Sequence, residues 1–483
     1  MDRPTLGLDL GTTGCKVVAL GPEGDVLGGA AATYPLLTDA SGRAEQDPAA
    51  IWKAACTVLR ELTGELGPNF SGLALGGAMH SVLPLGADGE PLSHALTWAD
   101  SRADKLRLPE AELNELYRRT GCPGEVPYHP ARLRWLRGAD PELFRKTAKV
   151  AALKDFVGYR LTGTLATDVG MASTTGLHKL RGEGWDEGAL EAAGITREML
   201  PEPLEPTAQL GLLTADAASL TGLEAGLPVF AGSSDGALAN LGSGVVRPGE
   251  TVVTVGTSGA VRRVVAEPWL NEERLTWCYR FGRGRLFAGG AVNNGGLALE
   301  WLRATLYGDL PKDEGFDRLL DDAAHAAPSE LVCLPYLTGE RTPHWDAALR
   351  GGFFGLGKHH TRADLARAGL EGVAFSLADV FDLLGPDGRR VQLSGGVTRN
   401  PFWAQLLTDA LGVETELNTV ADASAVGTAL LAQIALGWRT FEDAAREVAD
   451  EVRPTLTPDV GAHDRLKGKR RRARALLEAT RDL

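Results

Sequence analysis

Residues 5–18 read TLGLDLGTTGCKVV, and residues 251–261 read TVVTVGTSGAV. Each stretch is an apolar strand pattern, a Gly-Thr-(Thr/Ser)-Gly turn and a second apolar strand pattern. The two turns lie about half a chain length apart. Two halves that each open on the same hairpin point to a duplicated domain with a site between the copies. The competing reading is coincidence, since Gly-Thr turns of this kind are common.

Outward from the first hairpin, helix and strand signals alternate. Ala49–Glu65 carries Ile51, Trp52, Ala55, Val58, Leu59 and Leu62 at helical spacing. Asp47-Pro48 supplies its N-cap and first-turn proline. Gly72–Gly77 reads as a short buried strand. Glu110–Leu136 is a helical block interrupted by a Gly121–Pro130 loop. In the second half, Arg362–Leu384 has a long helical pattern, Val391–Leu393 a strand pattern and Pro401–Leu411 a helical one. Strands alternating with helices imply an α/β fold with largely parallel central sheets. The junction is expected in the glycine-rich stretch Gly242–Gly249, giving domains 1–245 and 246–483.

Composition excludes several classes. The 483 residues are 44% apolar and 23% charged, which rules out disorder as the main state. The net charge of −13 argues against non-specific nucleic-acid or anionic-membrane binding. An anionic substrate would therefore need a local basic pocket. Cys15, Cys56, Cys122, Cys278 and Cys333 are scattered, without a CxxC pair, which suggests a reducing compartment. Met1-Asp2-Arg3-Pro4 leads straight into a strand pattern, so no signal peptide is expected. The longest apolar run, Ala425–Gly437, is too short to span a membrane and contains Gln433. A cytoplasmic protein is expected. The basic run KGKRRRAR (467–474) reads as a solvated final helix rather than a nucleic-acid arm.

The chemistry sits in the turns. A tight glycine-rich turn points successive backbone N–H groups into one concavity, and Thr or Ser hydroxyls add donors, which makes a phosphate cradle. Asp9, just before the first turn, would repel phosphate unless a cation intervened, so it is read as orienting Mg²⁺ through water. The alternative is a capping Asp in an ordinary turn. In AGSSDGALANL (231–241), Asp235 opens a helical run. It is either a general base toward a substrate hydroxyl or an N-cap, and spacing leaves both open. GGAMHS (76–81) places Met79 and His80 at a strand's carboxyl end, where α/β ligand sites form. TWADSR (97–102) groups Trp98, Asp100 and Arg102 as a plane, a carboxylate and a guanidinium suited to a polyhydroxylated ligand; the alternative is a surface loop with a local ion pair. SGGVTRN (394–400) follows a strand and would let a flat ring approach the backbone. GFFGLGK (352–358) fits GxxxxGK, but His359 follows where Ser or Thr is required, so a Walker A site is rejected. His359-His360 lacks partners at metal spacing.

Taken in order, these segments resemble the FGGY family of carbohydrate kinases, within the actin/hexokinase/heat-shock-chaperone ATPase superfamily. LGLDLGTTG, MHS (79–81), TWADSRAD (97–104), GSSDGALANLGSG (232–244), TVVTVGTSGAV, GERTPHWDAALRG (339–351) and LSGGVTRNPFWAQLLTDALG (393–412) carry the resemblance through nearly the whole chain. It implies two actin-like (ribonuclease H-like) domains with ATP and Mg²⁺ in the cleft between them. It also implies phosphorylation of a sugar, polyol or sugar acid, with Asp235 as catalytic base. Asp9, Gly11, Thr12 and Thr13 would form the first phosphate hairpin, and Gly256, Thr257 and Ser258 the second. Gly395, Gly396 and Asn400 would line the adenine side. Met79, His80, Trp98, Asp100, Arg102 and Asp235 would form the sugar site. TWADSRA, AVNNGG (291–296) and GERTPHWD look most like the family's gluconate kinases, and Trp98, Arg102 and Asn293 would then face a sugar acid. LKDFVGYRLTG (153–163) looks more like its xylulose kinases. An ATP-driven binding switch is the rival from another class. The expected partner is a small molecule, not nucleic acid or membrane, and assembly as a homodimer is left open.

Overall fold

The computed structural model describes residues 3–105, 108–124, 127–282, 284–385, 389–449 and 453–481. Glu125 and Val126, in the expected Gly121–Pro130 loop, lie outside these.

The first half is built on β1 (Thr5–Leu10), β2 (Gly14–Leu20), β3 (Val26–Thr33), β4 (Gly72–Gly77), β5 (Gln209–Leu212) and β6 (Pro228–Ser234), in the sheet order β5-β6-β4-β1-β2-β3. β1 pairs antiparallel with β2 and parallel with β4, and β4 pairs parallel with β6. β4 is buried along its whole length, as GLALGG requires of a central strand covered on both faces. Helix α1 (Pro48–Leu66) starts where expected: the Asp47 side chain accepts from Ala49 N–H, and Ile51, Val58, Leu59 and Leu62 are buried. Two further helices of this half matter to the site, α2 (Leu153–Thr162) and α3 (Asp235–Gly242).

The second half repeats the plan. Its strands are β7 (Glu250–Val255), β8 (Gly259–Val265), β9 (Trp277–Arg280), β10 (Leu286–Val292), β11 (Arg390–Gly395), β12 (Thr415–Leu417) and β13 (Thr455–Leu456), in the order β9-β10-β8-β7-β11-β12-β13. The run β10-β8-β7-β11-β12 reproduces β3-β2-β1-β4-β6 in order and in parallel or antiparallel sense. The hairpin echo in the sequence is thus a repeated fold. The turns differ by one residue: Leu10 pairs with Cys15, but Val255 pairs with Gly259. Helices α4 (Arg362–Leu383), α5 (Pro401–Leu411), α6 (Ala423–Ala435) and α7 (Val460–Thr480) complete this half. GFFGLGK is no strand-to-helix loop, since Gly352–Phe354 is a strand paired antiparallel with Val332–Leu334. Among the described residues no helix is long and apolar enough to cross a membrane.

The halves are joined by equivalent helices. α3 follows β6 as α6 follows β12, and the two pack at backbone contact. A Cβ on Gly427 would lie 1.9 Å from the Leu238 carbonyl oxygen, and one on Gly242 would lie 1.9 Å from that of Ala423. α6 also lies on the first sheet, where Thr5 Oγ1 donates to the Ala429 carbonyl. A core of Leu20, Phe230, Leu238, Leu241, Val252 and Leu430 is therefore shared by both halves. Gly427→Ala is expected to destabilise the protein by about 1–3 kcal/mol, because backbone on the facing helix leaves no room for the methyl. Urea denaturation measures this; an unchanged midpoint would mean that the helices separate freely.

The basic run lies on the final helix, α7, and is partly solvated as expected: Lys467, Arg471, Arg472 and Arg474 are exposed, while Lys469 and Arg470 are buried. Lys469 is buried against Glu371, and Arg470 pairs with Asp379 and Asp382. Arg474 reaches Asp379 at 2.6 Å. The acidic partners come from α4, which sequence spacing along α7 could not reveal.

Candidate active site

The two turns face the junction and are held in different ways. In the first, Gly11 N–H donates to the Gly14 carbonyl at 2.9 Å. The Tyr34 hydroxyl donates to the Gly11 carbonyl at 2.7 Å, and Gln46 Nε2 to that of Thr12 at 2.7 Å. In the second, Gly256 N–H donates to the Ser258 carbonyl at 2.9 Å. AVNNGG supports this turn from outside. Gly296 N–H donates to the Gly256 carbonyl (2.7 Å) and Leu297 N–H to that of Thr257 (2.9 Å). Gly395 follows β11 at φ 85°, and a Cβ there would lie 2.5 Å from the Val255 carbonyl oxygen, so the backbone of the second hairpin touches it directly. Asn400 caps α5 by accepting from Trp403 N–H at 2.9 Å.

Asp9 and Asp235 are neighbours. Asp9 Oδ1 is buried and has no hydrogen-bond partner. Its carboxyl pKa is raised to about 7, first by burial, then by the like charge of Asp235; Ser424 and Lys16 oppose the rise. Lys16 pairs with Asp422 at the start of α6. An unpartnered carboxylate oxygen beside two phosphate-type turns fits a hard cation. No cluster of three His, Cys, Asp or Glu side chains occurs among the described residues, so a cation at Asp9 would draw its other ligands from water and phosphate oxygens. Asp235 is the first residue of α3, and Ser234, in extended conformation, is the N-cap. Its Oδ1 accepts from Gly236 N–H at 2.7 Å. Burial raises its pKa, and the Gly236 N–H and Arg262 oppose the rise. Arg262 comes from β8 of the second half. Its Nε donates to Asn240 Oδ1 (3.0 Å) and its Nη2 to Thr254 Oγ1 (2.9 Å). Arg262 was missed at the level of sequence; the available signal was a pair of arginines inside the apolar strand AVRRVV.

Met79 and His80 follow β4, whose end is tied to β1 by Ala78 N–H donating to the Leu10 carbonyl at 2.8 Å. His80 is buried at φ 67°. Its ring Nδ1 lies 2.9 Å from the Thr174 carbonyl, which only accepts, so Nδ1 carries the proton. Burial pushes its pKa well below the usual range, so the ring is neutral and Nε2 presents a lone pair. Tyr128 and Tyr279, one from each half, share a 2.7 Å hydroxyl bond beside this ring. Trp98 Nε1 donates to Thr12 Oγ1 at 3.0 Å, joining the 97–102 loop to the first Gly-Thr turn. The Arg341 guanidinium lies over the Trp98 ring, 4.7 Å from its centre. Arg341 Nε donates to Asn293 Oδ1 at 2.7 Å.

Asp100 and Arg102, expected as ligand groups, are paired with each other, as in the local ion-pair alternative. Arg102 Nη2 lies 2.7 Å from Asp100 and 2.6 Å from Glu45, and Asp100 also accepts from Ala44 N–H at 2.9 Å. A second missed residue supports the same loop: buried Arg132 donates to the carbonyls of His80, Thr97 and Asp100.

Residues 5–242 match the N-terminal domain, and residues 251–436 the C-terminal domain, of the FGGY family of carbohydrate kinases. The gluconokinase of Bacillus subtilis (strain 168) is 34% identical over 467 residues, 92% of this chain and 90% of that protein. The xylulose kinase of Escherichia coli (strain K12) is 32% identical over 89% of this chain and 90% of that protein. The solved gluconate kinase of Lactobacillus acidophilus superposes with a TM-score of 0.91 at 29% identity, covering 98% of this chain and 97% of that one. The ligand-bound xylulose kinase of the same organism gives 0.92 at 29% identity, covering 99% and 98%. Two actin-like, ribonuclease H-like halves of this family make the chain an ATP-using phosphotransferase with an alcohol group as acceptor. The chain belongs to the FGGY family of carbohydrate kinases.

Proposed function

We propose that this kinase phosphorylates the terminal hydroxyl of a sugar acid, D-gluconate to 6-phosphogluconate. The observation that carries the chemistry is Asp235 beside Asp9 of the first hairpin, with Arg262 of the second half next to it and Met79 against Gly236. The preference for gluconate is supported by gluconokinases at 33–34% identity against 26–32% for the xylulose kinases beside them.

In this reading Asp235 accepts the proton of the substrate hydroxyl as that oxygen attacks the γ-phosphorus of ATP, and the bond to the β,γ-bridging oxygen breaks. Burial holds the Asp235 pKa above the ordinary carboxylate range, which makes it a better proton acceptor near neutrality. Thr12, Thr13, Thr257 and Ser258 cradle the phosphates, on turns closed by the Gly11 and Gly256 N–H groups. Asp9 would hold Mg²⁺ through water, and the ion would supply neutralisation of phosphate charge. Gly395, Gly396 and Asn400 line the adenine side; Met79, His80, Trp98 and Asn293 line the sugar. Arg262, fixed by Asn240 and Thr254, keeps a positive charge beside Asp235 and the transferred group. The domains are taken as 1–245 and 246–483, and the enzyme as cytoplasmic, acting on a small molecule as a monomer or a homodimer.

A second reading, a xylulose or other ketose kinase, is favoured by LKDFVGYRLTG. That stretch forms α2, and its Lys154 is buried in an ion cluster, a bracing role that either substrate would tolerate. The test is ADP release from ATP with D-gluconate, D-xylulose, glycerol, L-ribulose or no acceptor. Turnover confined to gluconate is expected. A xylulose-specific enzyme would keep the mechanism and overturn the substrate; equal slow release with and without acceptor would overturn the kinase reading.

A further inference from the structure

Resting on the sugar-acid reading, we infer that Arg341, oriented by Asn293, is the seat of the substrate carboxylate. The chain is acidic overall, so an anionic acceptor needs a cation placed for it. Arg102 is not that cation, because Asp100 and Glu45 already neutralise it. Arg262 stands beside Asp235, where the hydroxyl reacts, and the carboxylate of an aldonate is at the opposite end of its carbon chain.

Arg341 meets the remaining requirements. Among the described residues it has no carboxylate within 4.0 Å, and its Nη1 has no hydrogen-bond partner. Its Nε is fixed on Asn293 Oδ1, and its plane covers the Trp98 ring. A guanidinium held through Nε, through Nη2 on the Val292 carbonyl at 3.4 Å and by one face keeps its Nη1 hydrogens and one Nη2 hydrogen for a planar anion. The neighbouring carboxylate, Glu340, is buried and engaged with the backbone N–H groups of Asn293 and Arg341 and with the Asn294 amide. Burial lowers the Arg341 pKa, and the nearby Glu340 opposes the shift. Trp98 in turn bonds Thr12, so an anion on Arg341 would be registered against the first phosphate turn.

The experiment compares D-gluconate with D-glucitol, which has the same carbon chain and CH₂OH in place of the carboxylate. kcat/KM is measured for both, with calorimetric binding in the absence of ATP, on wild type, Arg341→Gln, Arg341→Lys and Asn293→Ala. Arg341→Gln should lower kcat/KM for gluconate by about 10–100-fold, mostly through KM, and change glucitol by less than about threefold. Arg341→Lys should recover part of the gluconate preference. Asn293→Ala should weaken it, which keeps the test alive if Arg341→Gln fails to fold. Equal losses on both acceptors would assign Arg341 a structural role and overturn the inference, as would an undiminished gluconate preference. A wild type with no preference for gluconate over glucitol would instead overturn the sugar-acid reading, and this assignment with it.

Discussion

Asp235→Asn is expected to lower kcat by about 10²–10⁴-fold, the range for removing a positioned general base, while ATP binding changes little. The amide keeps the shape of the side chain and its bond from Gly236 N–H, so α3 and its packing on α6 should persist. What is lost is the ability to take up a proton. In the wild type, kcat/KM should fall on the acid side with a limb above the ordinary carboxylate pKa, because burial raises Asp235 and only the ionised form is active. The variant should lack that limb. Turnover within a few-fold of wild type would remove Asp235 from the chemistry and leave it as the first residue of a helix. A simultaneous loss of nucleotide binding would show that the change disturbed Asp9, its close neighbour, rather than proton transfer alone.

The second large effect is on stability. Lys154→Met should destabilise the protein by about 3–5 kcal/mol, since removing one partner of a buried ion cluster leaves the others uncompensated. Lys154 Nζ lies 2.9 Å from Asp168 and 3.1 Å from Asp155, and it donates to the Ala231 carbonyl at 2.8 Å. All three side chains are almost wholly buried. Asp168 also caps a short helix through Met171 N–H at 2.9 Å. Because Ala231 lies in the strand that ends at Ser234, immediately before Asp235, the variant should also lose kcat at temperatures where it remains folded. Chemical denaturation followed by tryptophan fluorescence reads the first effect. A loss below about 1 kcal/mol would mean that the two carboxyls simply protonate and the cluster braces nothing.

The features legible in the sequence were those whose cause is local. The hairpins are written in glycines and apolar alternation, and α1 and α5 in their caps and spacing, so their positions followed from short windows. What was not legible depends on partners far apart in the chain. Arg102 looked like a free cation because Glu45, which neutralises it together with Asp100, sits 57 positions away. Arg341 and Trp98 belong to different halves, and no periodicity pairs them. The burial of Lys469 and Arg470 in the tail helix was not legible because their acidic partners lie on α4. The electrostatics therefore had to be read from the fold, although the two Gly-Thr turns did not.

The back-to-back contact of α3 and α6 has a mechanical consequence. It joins equivalent helices of the two repeats through backbone too close for side chains, so it behaves as a fulcrum rather than a cushion. Any rocking of one repeat against the other about that point displaces the outer rims most and the adjacent atoms least. Asp235 begins α3, and Ser424, at the start of α6, donates to its carbonyl at 3.3 Å. Asp235 therefore sits close to that fixed point. Trp98 and Arg341, which meet across the two halves, are the contact that such rocking would open or close.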